Sequence, residues 1–162
     1  MKDAIKTHYT CPALAAKIRR GLEKAGKIPG QISLRDLAPV DQLHTGSAPA
    51  TIELMEHAGL DKGMTILDAG CGIGGTSRLL AQNFGLVVHG IDLSEEFIET
   101  ARVLNQWCGF AKEGIINFQH GSLLALPYPD NFFDAVLCQH VLLNIKDKPK
   151  VFAEFSRVLA PR

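Results

Sequence analysis

The stretch that decides the fold is "LDAGCGIGG", Leu67 to Gly75, in which four glycines follow a short apolar run. Its glycines satisfy two spacings at once, G-x-G-x-G over 70–74 and G-x-G-x-x-G over 70–75. Both spacings are typical of a strand that turns sharply into a helix, with no Cβ atoms between the backbone and a bound molecule. This glycine loop therefore predicts a ligand at the end of a strand. The alternative is a tight turn that binds nothing.

The sequence after residue 63 alternates between short apolar runs and helix-length stretches. The predicted strands are "MTILDA" (64–69), "LVVHGID" (86–92), "IINFQH" (115–120) and "FDAVLCQ" (133–139). Helices are predicted over 74–84, 94–109 and 147–160, with Ser94 as an N-cap and Gly85 and Gly109 as C-caps. This alternation predicts an α/β fold built on a parallel sheet.

The first 60 residues follow a different pattern. Apolar residues spaced three and four apart predict an amphipathic helix over 12–26, and Ser47 begins a second such run that Gly59 or Gly63 ends. Between them, "SLRDLAPVDQLHTGSAPA" predicts a short helix at most and then a loop. We therefore expect an N-terminal helical cap segment, residues 1–60, and an α/β core, residues 61–162.

Composition excludes several classes of protein. The 162 residues are 46% hydrophobic, and 17 basic against 17 acidic side chains give no electrostatic reason to expect nucleic acid or a membrane as partner. The four cysteines are scattered without metal-ligand spacing, so we predict reduced thiols and no metal site. Since no apolar run has the length of a signal peptide or a membrane span, we predict a cytoplasmic protein.

Two carboxylates flank the glycine loop and narrow the choice of ligand. Asp68 ends the first predicted strand, where its charge opposes a pyrophosphate but suits a cation, such as the sulfonium and ammonium of S-adenosylmethionine. Asp92 ends the second strand, where a carboxylate can accept both hydroxyls of a ribose. Leu93 would then offer an apolar face to the base. Hydrogen bonding to loop amides is the alternative for Asp68, and core packing is the alternative for Leu93.

Three ordered motifs, "ILDAGCGIGGTSRLLA", "GIDLS" and "GSLLALPYPDNFFDAV", together resemble class I S-adenosylmethionine-dependent methyltransferases over residues 64–161. The upstream stretch "LAPVDQLHTGSAPAT" is similar to the segment before the core in small-molecule methyltransferases of the sarcosine/dimethylglycine and tocopherol type. The resemblance implies a doubly wound, Rossmann-like parallel sheet with the N-terminal helices packed over the cofactor site. It also implies S-adenosyl-L-methionine as cofactor and a small-molecule methyl acceptor.

The resemblance also assigns cofactor-binding residues. The first motif would hold the methionine and ribose portion, Asp92 the ribose, and the segment after the third strand the adenine. Ser122 stands where the family commonly has Asp, and its shorter, uncharged acceptor predicts a weaker or water-mediated adenine contact. The full set is Asp68, Gly70, Cys71, Gly72, Gly74, Asp92, Leu93, Gly121, Ser122, Leu123 and Gln139.

Two histidines are candidate bases. Methyl transfer from a sulfonium is an in-line displacement that needs alignment, and a base only when the acceptor arrives protonated. His140 follows the fourth strand, where the family's substrate pocket begins, and His44 lies in the "DQLHTG" loop of the N-terminal segment. A structural histidine and a solvated loop histidine are the respective alternatives.

The family's sheet has the strand order 3-2-1-4-5-7-6, and this sequence supplies the part 3-2-1-4. We therefore expect the chain to lack the C-terminal strands, which leaves "AVLCQHVLL" as an exposed apolar edge. Such an edge predicts a homodimer or a swapped assembly. Two other functions stay open: a non-catalytic or truncated S-adenosylmethionine-binding module, and an NAD-dependent oxidoreductase, which Asp68 disfavours.

Overall fold

The computed structural model describes residues 14–28, 30–41, 47–110 and 114–161. Within these ranges, three helices precede the sheet: α1 (Leu14–Lys24), α2 (Leu34–Asp41) and α3 (Ser47–His57). The core follows in the order β1 (Thr65–Ala69), α4 (Gly75–Phe84), β2 (Val87–Asp92), α5 (Glu95–Trp107), β3 (Ile116–His120), β4 (Ala135–Leu137) and α6 (Lys148–Val158). A single 3-10 turn, Leu142–Asn144, lies between β4 and α6.

The four strands form one parallel sheet in the order β3-β2-β1-β4. Asp68 near the end of β1 pairs with Gly90 of β2 on one side and with Leu137 of β4 on the other. The predicted α/β class and the predicted strand order are therefore confirmed. Because β1 is an inner strand, the loop that follows it leaves the sheet at its middle.

Side chains of β1 alternate between two apolar clusters, one on each face of the sheet. Ile66 packs with residues of α4 and α5, whereas Leu67 packs with residues of α6. A third cluster joins α1 and α2 to α5, and it includes Ile73 of the glycine loop beside Leu37 of α2. Helices thus cover both faces, as a doubly wound fold requires, and the N-terminal helices pack against the glycine loop.

Strand β4 is shorter than predicted. The sequence predicted 133–139, but the strand occupies Ala135–Leu137. Phe133 forms an isolated bridge with Leu159 and donates its N–H to the carbonyl of Val158 at 2.9 Å. Past Leu137 the chain leaves the sheet, and His140 adopts a φ of 57°. The pairing of Phe133 with Leu159, just after α6, therefore moves the start of β4 to Ala135. The spacing of apolar residues could not reveal this pairing.

The helix ends mostly follow the predicted caps. Ser94 Oγ accepts the N–H of Phe97 at 3.3 Å, and Gly85 caps α4 with a φ of 64°. Both predicted caps are confirmed. At the end of α5 the cap is Cys108, and Gly109 lies one residue further on with a φ of 78°. The left-handed glycine is therefore present, shifted by one position.

Helix α6 corrects two details of the sequence analysis. It ends at Val158, two residues before the predicted end, because Leu159 turns away to pair with Phe133. The spacing of the apolar residues predicts that Phe152 shares a buried face with Val151 and Phe155, but Phe152 is 54% exposed, whereas Val151 is fully buried. Among the described helices, none combines the length and apolarity needed to cross a membrane.

Candidate functional site

The glycine loop uses left-handed backbone conformations at three positions. The φ angles are 85° at Gly70, 55° at Gly72 and 82° at Gly74. Residues with a Cβ atom rarely adopt such angles. The backbone alone therefore accounts for glycine at all three positions.

The three glycines differ in what lies against them. A Cβ atom on Gly70 would overlap the side chain of Val141, and one on Gly74 would overlap the ring of Phe118. At Gly72, no atom of the described residues other than its chain neighbours lies within 4 Å of a Cβ position. The protein's own side chains thus occupy the space at two positions, and the open face of the loop is at Gly72.

Asp92 fastens the glycine loop to the end of β2. Its Oδ2 accepts the N–H of Gly72 and its Oδ1 accepts the N–H of Ser94, both at 2.9 Å. The carbonyl of Ile91 accepts the N–H of Gly70 at 2.8 Å. Burial raises the pKa of Asp92, and the two backbone donors oppose that rise. Each carboxylate oxygen has two acceptor positions, so Asp92 can hold the loop and still accept a ligand hydroxyl.

Asp68 is a buried carboxylate below the same loop. Its exposed fraction is 4%, and its Oδ2 accepts the hydroxyl of Ser77 in α4 at 2.6 Å. Burial raises its pKa to about 6, with repulsion from Asp92 adding to the rise and the Ser77 hydrogen bond opposing it. A cation bound beside Asp68 would favour its ionised form.

Arg78 joins three elements at the start of α4, and the sequence analysis missed it. The side chain is fully buried. Its Nη2 donates to Asp41 Oδ2 of α2 at 2.9 Å and to the carbonyl of Ile73 at 2.8 Å, and its Nη1 donates to Asn105 Oδ1 of α5 at 3.2 Å. The available signal was a lone arginine among small and apolar residues in "GGTSRLLA". Nothing in the spacing pointed to a partner 37 residues upstream.

The segment after β3 returns to Asp92. Gly121 donates its N–H to the carbonyl of Asp92 at 2.9 Å, and a Cβ on Gly121 would lie 2.8 Å from Ile91 Cδ1. Ser122 Oγ accepts the N–H of Leu124 at 3.2 Å, and Leu123 is buried. This segment and the glycine loop are therefore both anchored on the end of β2.

The loop that continues from this segment is tied to α6. Arg157 donates to the carbonyl of Tyr128 at 2.8 Å and to that of Leu126 at 3.0 Å. Glu154 accepts the N–H of Leu126 at 2.6 Å and pairs with Arg157 at 2.9 Å. Hydrogen bonding from Arg157 holds the pKa of Glu154 down at about 2.

The residues after β4 lie beside the glycine loop, because the side chain of Val141 packs on Gly70. Gln139 Oε1 accepts the hydroxyl of Thr51 in α3 at 3.3 Å. His140 is exposed between these two contacts. His44, the other candidate base, lies outside the described residues.

The remaining predicted residues sit at the same end of the sheet. Leu93 is 38% exposed, and its carbonyl contacts His120 Nε2 at 3.1 Å. Cys71 is buried, its N–H donates to the carbonyl of Ile91 at 3.0 Å, and burial raises the pKa of its thiol. The structure thus joins the glycine loop, Asp92 and the segment after β3 in one hydrogen-bonded unit, and the carboxylate of Asp68 is bound to Ser77 in the helix that follows the loop.

Outside this unit, the described part of the chain offers little for ligand chemistry. A cavity of about 300 Å³ lies at the opposite end of β1, lined by Gly59, Met64, Asp134, Ala160 and Pro161. Its one carboxylate, Asp134, already accepts the N–H of Thr65 at 2.7 Å. No group of three or more metal-ligating side chains occurs within the described ranges. The strand-end unit is therefore the candidate site.

Comparison with protein families agrees with this geometry. A family model described as "Methyltransferase domain" matches residues 67–162, which include the glycine loop, Asp92 and the segment after β3. The chain belongs to the methyltransferase domain family. Its predicted membership of that family is therefore confirmed.

Several known proteins are similar to this methyltransferase domain. Phosphoethanolamine N-methyltransferase 1 of Zea mays is 36% identical over 117 residues, 72% of this chain and 23% of the relative. Ajmaline N-methyltransferase of Rauvolfia serpentina is 38% identical over 99 residues, 61% of this chain and 33% of the relative. The structure of Haemonchus contortus phosphoethanolamine N-methyltransferase 2 in complex with S-adenosyl-L-methionine superposes with a TM-score of 0.69 and 26% identity, covering 89% of this chain and 33% of that one. The domain thus spans a third or less of each of these proteins.

Proposed function

We propose that this methyltransferase domain binds S-adenosyl-L-methionine at the carboxyl ends of β1 and β2. In the whole protein, that site would serve methyl transfer to a small molecule. The glycine loop would hold the methionine portion, Asp92 the ribose hydroxyls, and Gly121–Leu123 the adenine. The similar Haemonchus enzyme binds S-adenosyl-L-methionine, and the maize relative is named for a small amine substrate, which supports both halves of the proposal.

The observation that carries the proposal is the open face of Gly72 beside the buried carboxylate of Asp68 and the half-buried carboxylate of Asp92. S-adenosylmethionine has an ammonium, a sulfonium and a ribose, and it has no phosphate. Asp68 and Asp92 suit those cations and hydroxyls, and the basic side chain at this loop, Arg78, is already paired with Asp41 at 2.9 Å. The charge distribution therefore fits a cationic nucleoside better than a dinucleotide such as NAD.

In the proposed reaction, the protein contributes mainly alignment. The cofactor supplies an activated methyl group on a sulfonium. The hydrogen bond that Asp92 accepts from Gly72, and the one that Arg78 donates to Ile73, fix the shape of the surface against which the cofactor would lie. Such orientation can supply roughly 7–11 kcal/mol of barrier lowering without a catalytic triad. Leu93, partly exposed beside Asp92, would shield the base from water.

The experiment compares two glycine variants that share the same backbone cost. Gly72 and Gly59 have φ angles of 55° and 63°, and at both positions no described atom other than those of the chain neighbours lies within 4 Å of the Cβ position. Gly72→Ala and Gly59→Ala should therefore destabilise the fold by similar amounts, about 1–2 kcal/mol each. Only Gly72→Ala places a methyl group on the proposed binding surface. Calorimetric titration with S-adenosylhomocysteine would measure the affinity of both variants and of the wild type.

We expect wild type and Gly59→Ala to bind equally well and Gly72→Ala to bind at least about tenfold more weakly, which corresponds to about 1.4 kcal/mol. Equal affinity in all three proteins would place the cofactor elsewhere. Binding of NAD by the folded wild type, without binding of S-adenosylhomocysteine, would contradict the proposal and favour the oxidoreductase alternative.

We propose His140 as the base for acceptors that arrive protonated, with His44 as the second candidate. His140 has a φ of 57°, which asparagine tolerates better than most residues. His140→Asn therefore removes the imidazole with little backbone strain. If His140 is the base, His140→Asn keeps the affinity for S-adenosylhomocysteine and lowers turnover, because the protonated acceptor amine then has no imidazole to take its proton. His44→Asn is the matched comparison. Unchanged turnover in His140→Asn would transfer the role to His44 or remove it.

We propose that the acceptor is a small molecule, and that an amine is the first class to test. The relatives from maize and Rauvolfia are both named as N-methyltransferases. Phosphoethanolamine and sarcosine, each with S-adenosyl-L-methionine, would serve as first probes in an assay for S-adenosylhomocysteine release. Cofactor binding without turnover on any acceptor would instead favour the non-catalytic binding module.

We also propose a homodimer through the outer edge of β4. Strand β4 pairs with β1 on one side, and no described strand pairs with its other side. Leu143 after this strand is 72% exposed, and Phe152 of α6 is 54% exposed. An uncharged strand edge without a described partner, in a chain that also exposes these apolar side chains, favours association. A monodisperse monomer at micromolar concentration in light scattering would exclude this dimer.

Two further proposals concern organisation and location. We propose that residues 1–60 are a cap segment on the core at 61–162, which the apolar cluster that joins α1 and α2 to α5 and the glycine loop supports. We also propose a cytoplasmic location, supported by the free thiols of Cys71, Cys108 and Cys138. Finding these cysteines in disulfides in protein from its native cells would contradict that location. The absence of nucleic-acid and membrane partners stays a prediction.

A further inference from the structure

Helix α2 meets the glycine loop at one buried polar junction. The junction consists of Asp41, Arg78, Asn105 and the carbonyl of Ile73. We propose that Asp41 and Arg78 are positioning residues for cofactor binding, which couple the docking of α2 to the shape of the glycine loop. This inference rests on the cofactor site proposed above.

The first step is that the open part of the loop is held from two sides. Asp92 accepts the N–H of Gly72 at 2.9 Å, and Arg78 donates to the carbonyl of Ile73 at 2.8 Å. These two contacts bracket the stretch whose face is open. Without the contact from Arg78, the peptide after Ile73 would lose the side-chain donor that fixes its carbonyl.

The second step is that Arg78 depends on α2 for its own position. A guanidinium that is fully buried needs a counter-charge, because an unpaired buried charge is strongly unfavourable. Asp41, whose side chain is 3% exposed, supplies it from the last residue of α2. The carbonyl of Asp41 also lies so close to Gly75 that a Cβ there would overlap it. If α2 moved away, Arg78 would turn toward water and release Ile73.

The third step is that the ion pair is only half complete. One hydrogen bond joins Arg78 Nη2 to Asp41 Oδ2, while Arg78 Nε and Asp41 Oδ1 are buried with no hydrogen-bond partner among the described residues. Guanidinium and carboxylate groups favour two parallel hydrogen bonds. When a ligand fixes the loop, a second hydrogen bond between Arg78 and Asp41 would therefore stabilise the bound state. The same hydrogen bond would hold α2 more tightly. Coupling of this kind is reciprocal: whatever tightens α2 also favours the cofactor.

The experiment measures hydrogen exchange of the α2 amides in the full chain, with and without saturating S-adenosylhomocysteine. The proteins are wild type, Asp41→Asn, and the control Val151→Ala. Asp41→Asn keeps the size and one acceptor oxygen but removes the charge. Val151 is fully buried in α6, so Val151→Ala destabilises the fold without touching the junction. Calorimetry gives the affinity of each protein.

In the wild type, we expect S-adenosylhomocysteine to slow exchange throughout α2. In Asp41→Asn, we expect affinity to fall by about tenfold, within the usual range of coupling between sites, and the α2 amides to stop responding to the ligand. Val151→Ala should melt at a lower temperature yet keep both the affinity and the response. A purely structural role for Asp41 would lower stability and leave the exchange response intact, which would overturn the inference.

Failure of the proposed function and failure of this inference give different results. If the folded wild type does not bind S-adenosylhomocysteine, the cofactor site itself is wrong. If the wild type binds and Asp41→Asn binds equally well, only the coupling is wrong. Should Asp41→Asn fail to fold, Arg78→Lys decides the matter. Lysine keeps the charge beside Asp41 but lacks the planar fork that also reaches Ile73, so we expect an affinity loss of at least about fivefold. Equal affinity would overturn the coupling.

Discussion

The candidate site has two edges, the glycine loop and the segment after β3 with the loop that follows it. One arginine holds each edge by hydrogen bonds, and the two arginines differ in their exposure to water. Arg78 at the glycine loop is fully buried and bridges α2, α5 and the loop. Arg157, which donates to carbonyls in the loop that follows Gly121–Leu123, keeps 31% of its side chain exposed and pairs with Glu154 on the same helix. Water can replace the partners of the second arginine but not those of the first. We infer that the buried contacts of Arg78 decide whether the glycine loop takes its shape. The exposed contacts of Arg157 only adjust the position of the segment after β3.

The largest effect should come from removing each arginine by the same substitution. Arg78→Met leaves the carboxylate of Asp41 buried without its partner, a change that costs about 3–5 kcal/mol in other buried pairs. Arg157→Met exposes carbonyls that water can reach, so its cost should be clearly smaller. Urea unfolding of both variants measures the difference. Equal losses in the free energy of unfolding would show that the two arginines do not differ in this way.

The double variant Asp41→Leu with Arg78→Met sharpens this test. Replacing both members of a buried ion pair with apolar residues is often neutral or stabilising. We therefore expect the double variant to recover much of the stability lost in Arg78→Met. Failure to recover would mean that the contact of Arg78 with Ile73, and not the burial of charge, accounts for the loss.

The two edges should also respond to pH in opposite ways. Burial raises the pKa of Asp68 at the glycine loop from 3.8 to about 6, whereas Arg157 lowers the pKa of Glu154 from 4.5 to about 2. Asp68 therefore makes the free energy of unfolding fall as pH rises from about 4 to about 6. Glu154 contributes stability above pH 4.5 that is lost as pH falls toward 2.

Binding of S-adenosyl-L-methionine should therefore strengthen as pH rises from 5 to 7, because its cationic groups favour ionised Asp68. We expect an affinity gain of up to about tenfold, since ionising a group with a pKa near 6 over that interval changes its charged fraction by about that factor. Asp68→Asn should bind weakly with a flatter profile, while Glu154→Gln should keep the wild-type profile. Calorimetry across this pH range measures all three. A flat wild-type profile would remove Asp68 from the cation site.

The fold was predictable because its signals are local. The period of the apolar runs, the cap at Ser94 and the glycine at 85 each act within a few residues, and they were enough to predict the helices and the sheet. The order of the strands came from the resemblance to the family. The glycine loop was likewise visible in the sequence, since its left-handed angles require glycine.

The parts that sequence did not reveal depend on distant partners. The composition of α4 does not show that Arg78 is buried. Its counter-charge, Asp41, lies 37 residues away at the end of another helix. Strand β4 is short because Phe133 pairs with Leu159, across the whole of α6. The same limit applies to Gly70 and Gly74, because only the fold shows that Val141 and Phe118 occupy the space beside them.

The smallest predicted effect is a gain in ligand affinity from a substitution at Ser122, in the segment after β3. Ser122 Oγ already accepts the N–H of Leu124 at 3.2 Å, so its oxygen is partly committed before any adenine arrives. An aspartate there could keep that contact through one oxygen and offer the other to the adenine amino group. Because hydrogen bonds to charged acceptors are stronger than those to neutral ones, we expect Ser122→Asp to tighten S-adenosylhomocysteine binding about threefold to tenfold.

Ser122→Asn is the matched control, because it offers the same reach without the charge and should gain less. Calorimetry on the three proteins, with adenosine as a second ligand, would show whether the gain belongs to the adenine half of the cofactor. Equal affinity of wild type and Ser122→Asp would mean that the adenine contact does not pass through this side chain. In that case the segment after β3 would bind the adenine through its backbone and the buried Leu123. Substitution of Arg157, which would displace this segment, would then change the affinity more than any substitution at residue 122.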